Sequence, residues 1–108
     1  MSLYTFAPSA PCRSVEMLLN HMNISHKLET LDLFKGEQHN EEFLKINPQH
    51  CAPTWKDDKV TLWESRAIMK YLVLEHGGDN NSLYPKNDDI LCAKIDHALY
   101  FDMGTLFM

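Results

Sequence analysis

The sequence predicts an α/β fold, a single mixed sheet with helices packed on it, followed by one strongly apolar helix. Three observations predict it. Short runs of strand formers alternate with stretches of helical periodicity. The element order is strand, helix, strand, short helix, hairpin, helix, which suits a mixed sheet flanked by helices. The closing stretch, residues 98–108, has eight apolar residues of eleven, too many for a surface helix with one apolar stripe.

The elements follow in order. Leu3-Tyr4-Thr5-Phe6 reads as a strand and ends at Ala7-Pro8-Ser9-Ala10-Pro11, where two prolines force a turn. From Pro11, at the first helical position, Val15, Leu18, Leu19 and Met22 form one apolar stripe, and Asn23 stops the helix. Residues 24–33 hold a second strand on the strength of context, because Leu28, Leu31 and Leu33 do not alternate cleanly. Gly36 breaks the chain, and residues 40–46 form a short helix with a Glu41/Lys45 pair, ended by Asn47-Pro48. Thr54-Trp55-Lys56, the turn Asp57-Asp58 and Val60-Thr61-Leu62-Trp63 make an antiparallel hairpin. Ser65 caps a helix carrying Ile68, Tyr71 and Leu72, which Gly77-Gly78 ends. Residues 79–82 are a polar linker, and the last helix starts near Asp88 or Asp89. That helix is expected to be enclosed, either by further helices of a longer architecture or by a partner. Trp55, Trp63 and the methionines fall at positions expected in the core.

At 108 residues, 44% hydrophobic and 23% charged, the chain suits one domain that buries roughly two thirds of its unfolded surface. Ten Lys and Arg against fifteen Asp and Glu give a net charge of −5, a field that repels nucleic acid and anionic lipid. An anionic ligand must then be held by local groups. Cys12, Cys51 and Cys92 are odd in number and contain no CxxC, so neither a disulfide framework nor a zinc ribbon is expected. No signal peptide or membrane-length apolar run is visible, and the reducing cytosol is the default location. Six histidines contain no HxxxH or HExxH, so no metal site is expected, and no GxSxG elbow supports a serine hydrolase.

Three motifs could carry chemistry. Ser9-Ala10-Pro11-Cys12 lies at a strand-to-helix turn, where free N–H groups and the helix dipole favour a thiolate or carboxylate. Standing alone, it reads first as a cap followed by a packed cysteine. His50-Cys51-Ala52-Pro53-Thr54 sets a proline before a strand, where an X-Pro bond is able to be cis and leave a backbone edge for a peptide-like ligand, although most X-Pro bonds are trans. Glu64-Ser65-Arg66 opens a helix and could hold a carboxylate, or be an ordinary cap with a basic neighbour.

Taken together, Ser-Ala-Pro-Cys-Arg-Ser at 9–14, Glu-Phe-Leu-Lys-Ile-Asn-Pro-Gln-His at 42–50, Leu-Trp-Glu-Ser-Arg-Ala-Ile at 62–68 and Leu-Tyr-Pro-Lys at 83–86 resemble a cytosolic glutathione S-transferase, most like the insect delta class. Leu-Tyr-Phe-Asp-Met-Gly-Thr-Leu at 99–106 resembles the same class. The resemblance implies a thioredoxin-like glutathione-binding domain over residues 1–84, a four-stranded mixed sheet flanked by helices. Residues 85–108 would then be the linker end and first helix of an otherwise missing all-α domain. It implies an enzyme that conjugates glutathione, a co-substrate with no other cofactor, to small hydrophobic electrophiles in detoxification.

By that resemblance Ser9 donates a hydrogen bond to the glutathione sulfur and favours thiolate, which attacks the electrophile. A thiol of pKa about 8.5 is about 3% ionised at pH 7, and a shift of about two units, roughly 2.7 kcal/mol, makes thiolate the majority. Glu64, Ser65 and Arg66 would take the γ-glutamyl end, Ala52 before a cis Pro53 the cysteinyl backbone, and His50 with His39 the glycyl carboxylate. Gln38 stands where many delta enzymes carry the second histidine, so the choice between Gln38 and His39 stays open. Cys51-Ala52 and Trp55-Lys56 are further departures, and the missing domain leaves the electrophile pocket one wall. Two rival functions remain: a glutathione-binding or dimer-modulating fragment that docks its last helix on a full-length relative, and thiol-disulfide exchange through Cys12. A homodimer is the family's habit.

Overall fold

The computed structural model describes residues 1–78 and 81–106. Asp79 and Asn80 of the expected linker, and Phe107 and Met108 of the apolar tail, lie outside the described residues. The chain divides into two compact units, Met1–Met69 and Lys70–Met108.

The first unit is built on a four-stranded mixed sheet of order β2-β1-β3-β4. β1 (Ser2–Thr5) pairs parallel with β2 (Lys27–Thr30) and antiparallel with β3 (Thr54–Lys56), which pairs antiparallel with β4 (Thr61–Trp63). β1 starts and stops one residue before the expected run. Its alternation sets the layers. Leu3 and Thr5 are buried on one face, where Thr5 Oγ1 donates to Glu16 Oε2 at 2.9 Å from α1 (Ala10–His21). Tyr4 faces the other way, against Phe43 of α2 (Glu41–Ile46), with ring centroids 5.4 Å apart.

Leu3 stands opposite Trp55, and neither side chain is exposed. Burying a side chain of this size is worth about 1.5–3 kcal/mol. Val15 and Leu19 of α1 are likewise closed to solvent. Met17, about 200° around the helix from Val15, is 72% exposed, which corrects the expectation that the methionines are core. Trp63 is half-buried rather than core. Pro11 is the second helical residue, Ala10 the first, and Asn23 at φ 55° takes the left-handed turn after α1.

Two 3₁₀ turns, Leu33–Lys35 and Glu37–His39, flank Gly36, whose φ of 75° a side chain would disfavour. Asp32 starts the first, accepting from the N–H groups of Phe34 and Lys35. α2 follows, without the Glu41–Lys45 ion pair that the spacing allows; ion pairs among the described residues include Lys27–Glu29 and Lys70–Asp96. In the hairpin, Asp57 does the turning. Its Oδ1 accepts from Lys59 and Val60 N–H at 2.8 Å each, and its Oδ2 from the Trp55 indole at 3.0 Å.

α3 (Ser65–His76) runs through the division between units. In the second unit α4 (Asp89–Phe101) starts where expected, with Asp88 Oδ1 accepting from Leu91 N–H at 3.0 Å, and ends in a π-helical turn, Asp102–Leu106. None of its side chains is buried, and Ile90 and Tyr100 are 70% and 65% exposed. No helix among the described residues is long and apolar enough to cross a membrane. The Tyr84 hydroxyl donates to Asp96 at 3.1 Å, and Lys70 Nζ lies 3.2 Å from the same carboxylate and 4.9 Å over the Tyr84 ring.

These contacts set an alkaline limit. Hydrogen bonding to Tyr84, with Asp96 adding, holds the Lys70 ammonium above its ordinary range. Burial raises the Tyr84 phenol, opposed by Lys70, and burial with Glu29 raises Tyr4. A group whose folded pKa is raised binds its proton more tightly in the native state. The stability it contributes is therefore intact below the unfolded pKa, about 10, and is lost as pH rises through the folded value. Thermal melts at about pH 8 and about pH 11 are expected to show a falling midpoint, flattened in Tyr84→Phe. Solvent screening of the Lys70–Asp96 pair keeps its share below about 1 kcal/mol.

Candidate functional site

The topology brings four loops to one edge of the sheet. β1 and β2 run parallel and both end there, β3 starts there, and β4 ends there beside the start of β3, with Thr54 paired to both Tyr4 and Trp63. The loops leaving that edge carry Ser9, Gly36 to His39, His50 to Pro53 and Glu64 to Arg66. Every expected site residue lies on one of them. A groove of about 570 Å³, lined by Tyr4, Glu29, Phe43 and neighbours, lies elsewhere and holds none of the expected residues.

Ser9 sits at the N-cap of α1 with φ −81° and ψ 124°. Its Oγ accepts from Cys12 N–H at 3.4 Å. That bond uses a lone pair and leaves the O–H proton free to donate. Cys12 itself is fully buried, so its sulfur offers no reachable atom for disulfide exchange.

The 47–54 segment is organised by Asn47, a residue that sequence reasoning passed over as a helix stop. Its side chain is closed to solvent. Nδ2 donates to Thr54 Oγ1 at 3.0 Å and to the Cys51 carbonyl at 3.3 Å, and Oδ1 accepts from Gln49 N–H at 2.8 Å. Thr54 Oγ1 donates to the same Cys51 carbonyl at 2.7 Å. Within this frame the Ala52–Pro53 bond is cis, as the resemblance implies. His50 is held at φ 46° and donates its N–H to Asn47 O at 2.9 Å.

The His50 ring meets His39, with centroids 4.6 Å apart and planes tilted by 46°. Gln38 Oε1 turns inward, shielded from solvent and without a hydrogen-bond partner. Of Gln38 and His39, the histidine is therefore the one presented beside His50. The Trp63 indole donates to Gln49 Oε1 at 2.6 Å and ties this loop to the strand that leads to Glu64.

Glu64 has φ 82°, and its carbonyl accepts from Ile68 N–H at 3.0 Å. Ser65 is thus the first residue of α3 rather than its cap. It is 3% exposed, and its Oγ accepts from Arg66 Nη1 at 3.0 Å. Asn23, His50 and Glu64 are the non-glycine residues with positive φ among the described residues. Asn23 is an ordinary left-handed helix stop, whereas the other two are expected site residues. Backbone strain at such positions persists where the surroundings impose it, and it concentrates at ligand sites.

A family model for the glutathione S-transferase N-terminal domain matches residues 8–75. The chain belongs to the glutathione S-transferase family. It is 47% identical over 105 residues to glutathione S-transferase D7 of Anopheles gambiae, covering 97% of this chain and 47% of that protein. An epsilon-class glutathione S-transferase from the housefly Musca domestica matches with a TM-score of 0.91 at 42% identity, over 98% of this chain and 48% of that one. A delta-class glutathione transferase from Nilaparvata lugens gives 0.90 at 46% identity, over 98% and 49%. A glutathione transferase homolog from Drosophila mojavensis with bound glutathione gives 0.89 at 40% identity, over 95% and 46%. The chain spans about half the length of the relatives it matches. The four-stranded sheet and flanking helices are therefore those of the glutathione S-transferase N-terminal domain, and the thioredoxin-like expectation holds.

Proposed function

We propose that residues 1–84 bind glutathione and that the chain serves a glutathione S-transferase reaction. In that reaction the thiolate attacks a small hydrophobic electrophile, with residues 85–108 as the linker end and first helix of the helical domain. The observation that carries this reading is the gathering of four loops at one sheet edge, with the free Ser9 O–H, the His39–His50 pair and the Glu64–Arg66 turn all on it. Glutathione bound to the Drosophila mojavensis relative supports it.

On this reading the Ser9 hydroxyl donates to the sulfur and stabilises the thiolate, while the N-terminus of α1 adds its dipole. Ser9 supplies a hydrogen bond to a nucleophile that belongs to the substrate, and forms no covalent intermediate. The Ala52 backbone pairs with the cysteinyl residue beside Pro53. Glu64 takes the γ-glutamyl ammonium, Ser65 and Arg66 the adjoining carboxylate, and His39 with His50 the glycyl carboxylate. Each supplies local complementarity on a chain of net charge −5. No further cofactor is needed, and the reaction belongs in the cytoplasm.

A second reading, a glutathione-binding subunit with little conjugating activity that docks its last helix on a longer relative or a second copy, is favoured by the exposed apolar side chains of α4.

Titrating the 108-residue chain with glutathione while recording its amide NMR spectrum tests the site. Shifts at Ser9, Ala52 and Ser65 are expected, and their absence at millimolar ligand sinks the proposal. Glu64→Gly sharpens the test. Glycine accepts φ 82° without strain, so this variant is expected to be about 1 kcal/mol more stable while binding glutathione more weakly. If stability and binding moved together, the strained turn would be a folding feature only.

A further inference from the structure

The peptide plane that precedes Ser9 sets the direction of its Cα–Cβ bond, and the Cys12 N–H then holds Oγ on it. The Ser9 N–H donates to Phe6 O at 2.9 Å, and the Ser9 carbonyl accepts from Arg13 N–H at 3.0 Å. The other edge of the preceding plane is held by a side chain. Arg13 Nη1 donates to the Pro8 carbonyl at 3.1 Å and to the Ala7 carbonyl at 3.2 Å. The Pro8 carbonyl and the Ser9 N–H belong to one planar peptide unit. With its N–H tied to Phe6 and its oxygen tied to Arg13, that unit is restrained from turning about the Ser9 N–Cα bond. Ser9 φ is thereby held at −81°, and with it the direction of the Cα–Cβ bond that aims Oγ.

Arginine suits this task for a geometric reason. One guanidinium NH₂ carries two diverging protons in a fixed plane, and successive carbonyls of a turn present two acceptors within its reach. The same residue also closes the first backbone bond of α1, so residue 13 spans the whole turn from Ala7 to Ser9.

We infer that Arg13 is a positioning residue for Ser9, setting where the hydroxyl meets the ligand sulfur without touching the ligand. The inference rests on the reading that Ser9 serves the glutathione sulfur. Arg13 and the carbonyls it holds are exposed, so water can replace the bonds and the fold loses little. Aim is a more sensitive quantity, because a displacement of about 1 Å at a reacting group costs up to about a hundredfold in rate. The signature is therefore a changed sulfur ionisation with nearly unchanged affinity for glutathione in its protonated thiol form, since the residues proposed to hold the rest of the tripeptide lie on other loops.

The test compares the wild-type chain with Arg13→Met, Arg13→Lys and Ser9→Ala. Glutathione affinity is measured by calorimetry, and ionisation of the bound thiol by ultraviolet difference absorbance across pH, at low and high salt. At about pH 6 or below, where the bound thiol is mostly protonated in both proteins, Arg13→Met is expected to bind within about twofold of wild type. Its thiol titration is expected to move up by about one pH unit, a tenfold loss of thiolate below the midpoint, equally at both salt concentrations. Arg13→Lys, which keeps a multiple donor on a long stem, restores most of the shift. An Arg13→Met titration identical to wild type overturns the inference. So does a shift that vanishes in high salt, because Arg13 would then act on the thiolate by its charge. If wild type and Ser9→Ala titrate alike, the reading of Ser9 fails first and the role of Arg13 falls with it.

Discussion

Asn47→Ala is expected to lower stability by about 2–4 kcal/mol, which for a chain of this size is a fall of about 10–20 °C in the thermal midpoint. Three effects add. The substitution opens a cavity at a fully buried position, leaves the Gln49 N–H without its acceptor, and strips the Cys51 carbonyl and Thr54 Oγ1 of a donor. The loss concentrates on the segment that carries His50, Ala52 and Pro53. Glutathione affinity of the folded fraction should therefore fall at least about tenfold, more than stability alone explains. Leu19→Ala is the matched control: it is buried in α1 with a comparable expected destabilisation, and at low temperature its folded fraction should bind normally. Equal binding by the two variants would remove Asn47 from the site and leave it a core residue. Asn47→Asp keeps the acceptor for Gln49 but loses both donors and buries a charge, so it is expected to be no milder.

Ser9→Ala is expected to act on chemistry more than on fold. With the hydroxyl, a bound thiol lowered by about two units is mostly thiolate at pH 7. Without it the thiolate fraction returns toward about 3%, and conjugation measured at that pH should drop about twentyfold. The deficit should shrink at about pH 9, where an unassisted thiol ionises on its own, so the pH profile moves rather than simply scaling down. Loss of the cap should cost about 1 kcal/mol, and Ser9→Gly should recover part of that stability without recovering activity. Cys12→Ser should leave conjugation intact. A twentyfold loss in Cys12→Ser, with Ser9→Ala active, would reverse the assignment.

Much of this was legible in the residues, for identifiable reasons. The hairpin showed because Asp57 encodes its turn locally, and the helices because their apolar stripes and flanking Asn23 and Asp88 are local signals too. α4 announced its exposed apolar surface by having too many apolar residues for one stripe. β2 was the weakest element, since its place is set by pairing with β1 and its Leu28 is 48% exposed. The site was legible as three separate motifs, each with an ordinary structural explanation. What joined them is non-local: the sheet register that lines up the loops, and the fold of residues 36–50 that lays His39 on His50. Asn47 was hidden by its own sequence context, because asparagine before proline reads as a helix end whether or not its side chain is buried. Arg13 read as a solvated residue on α1, and only the path of the Ala7–Pro8 turn gives its side chain something to hold.

The position of β1 in the sheet governs the order in which the molecule can assemble. Of the four strands β1 comes first in the chain, yet its antiparallel neighbour begins at Thr54, so their contact closes a loop of about fifty residues whose entropy must be lost before any pairing compensates. The Asp57 hairpin is local and is expected to form early, whereas the union of β1 with β3 is expected to be the slow, topology-limited step. That same union sets the Ser9 turn beside the Pro53 loop. The nascent chain therefore has no binding edge until its central strand is paired on both sides, and ligand competence should emerge in step with closure of the sheet.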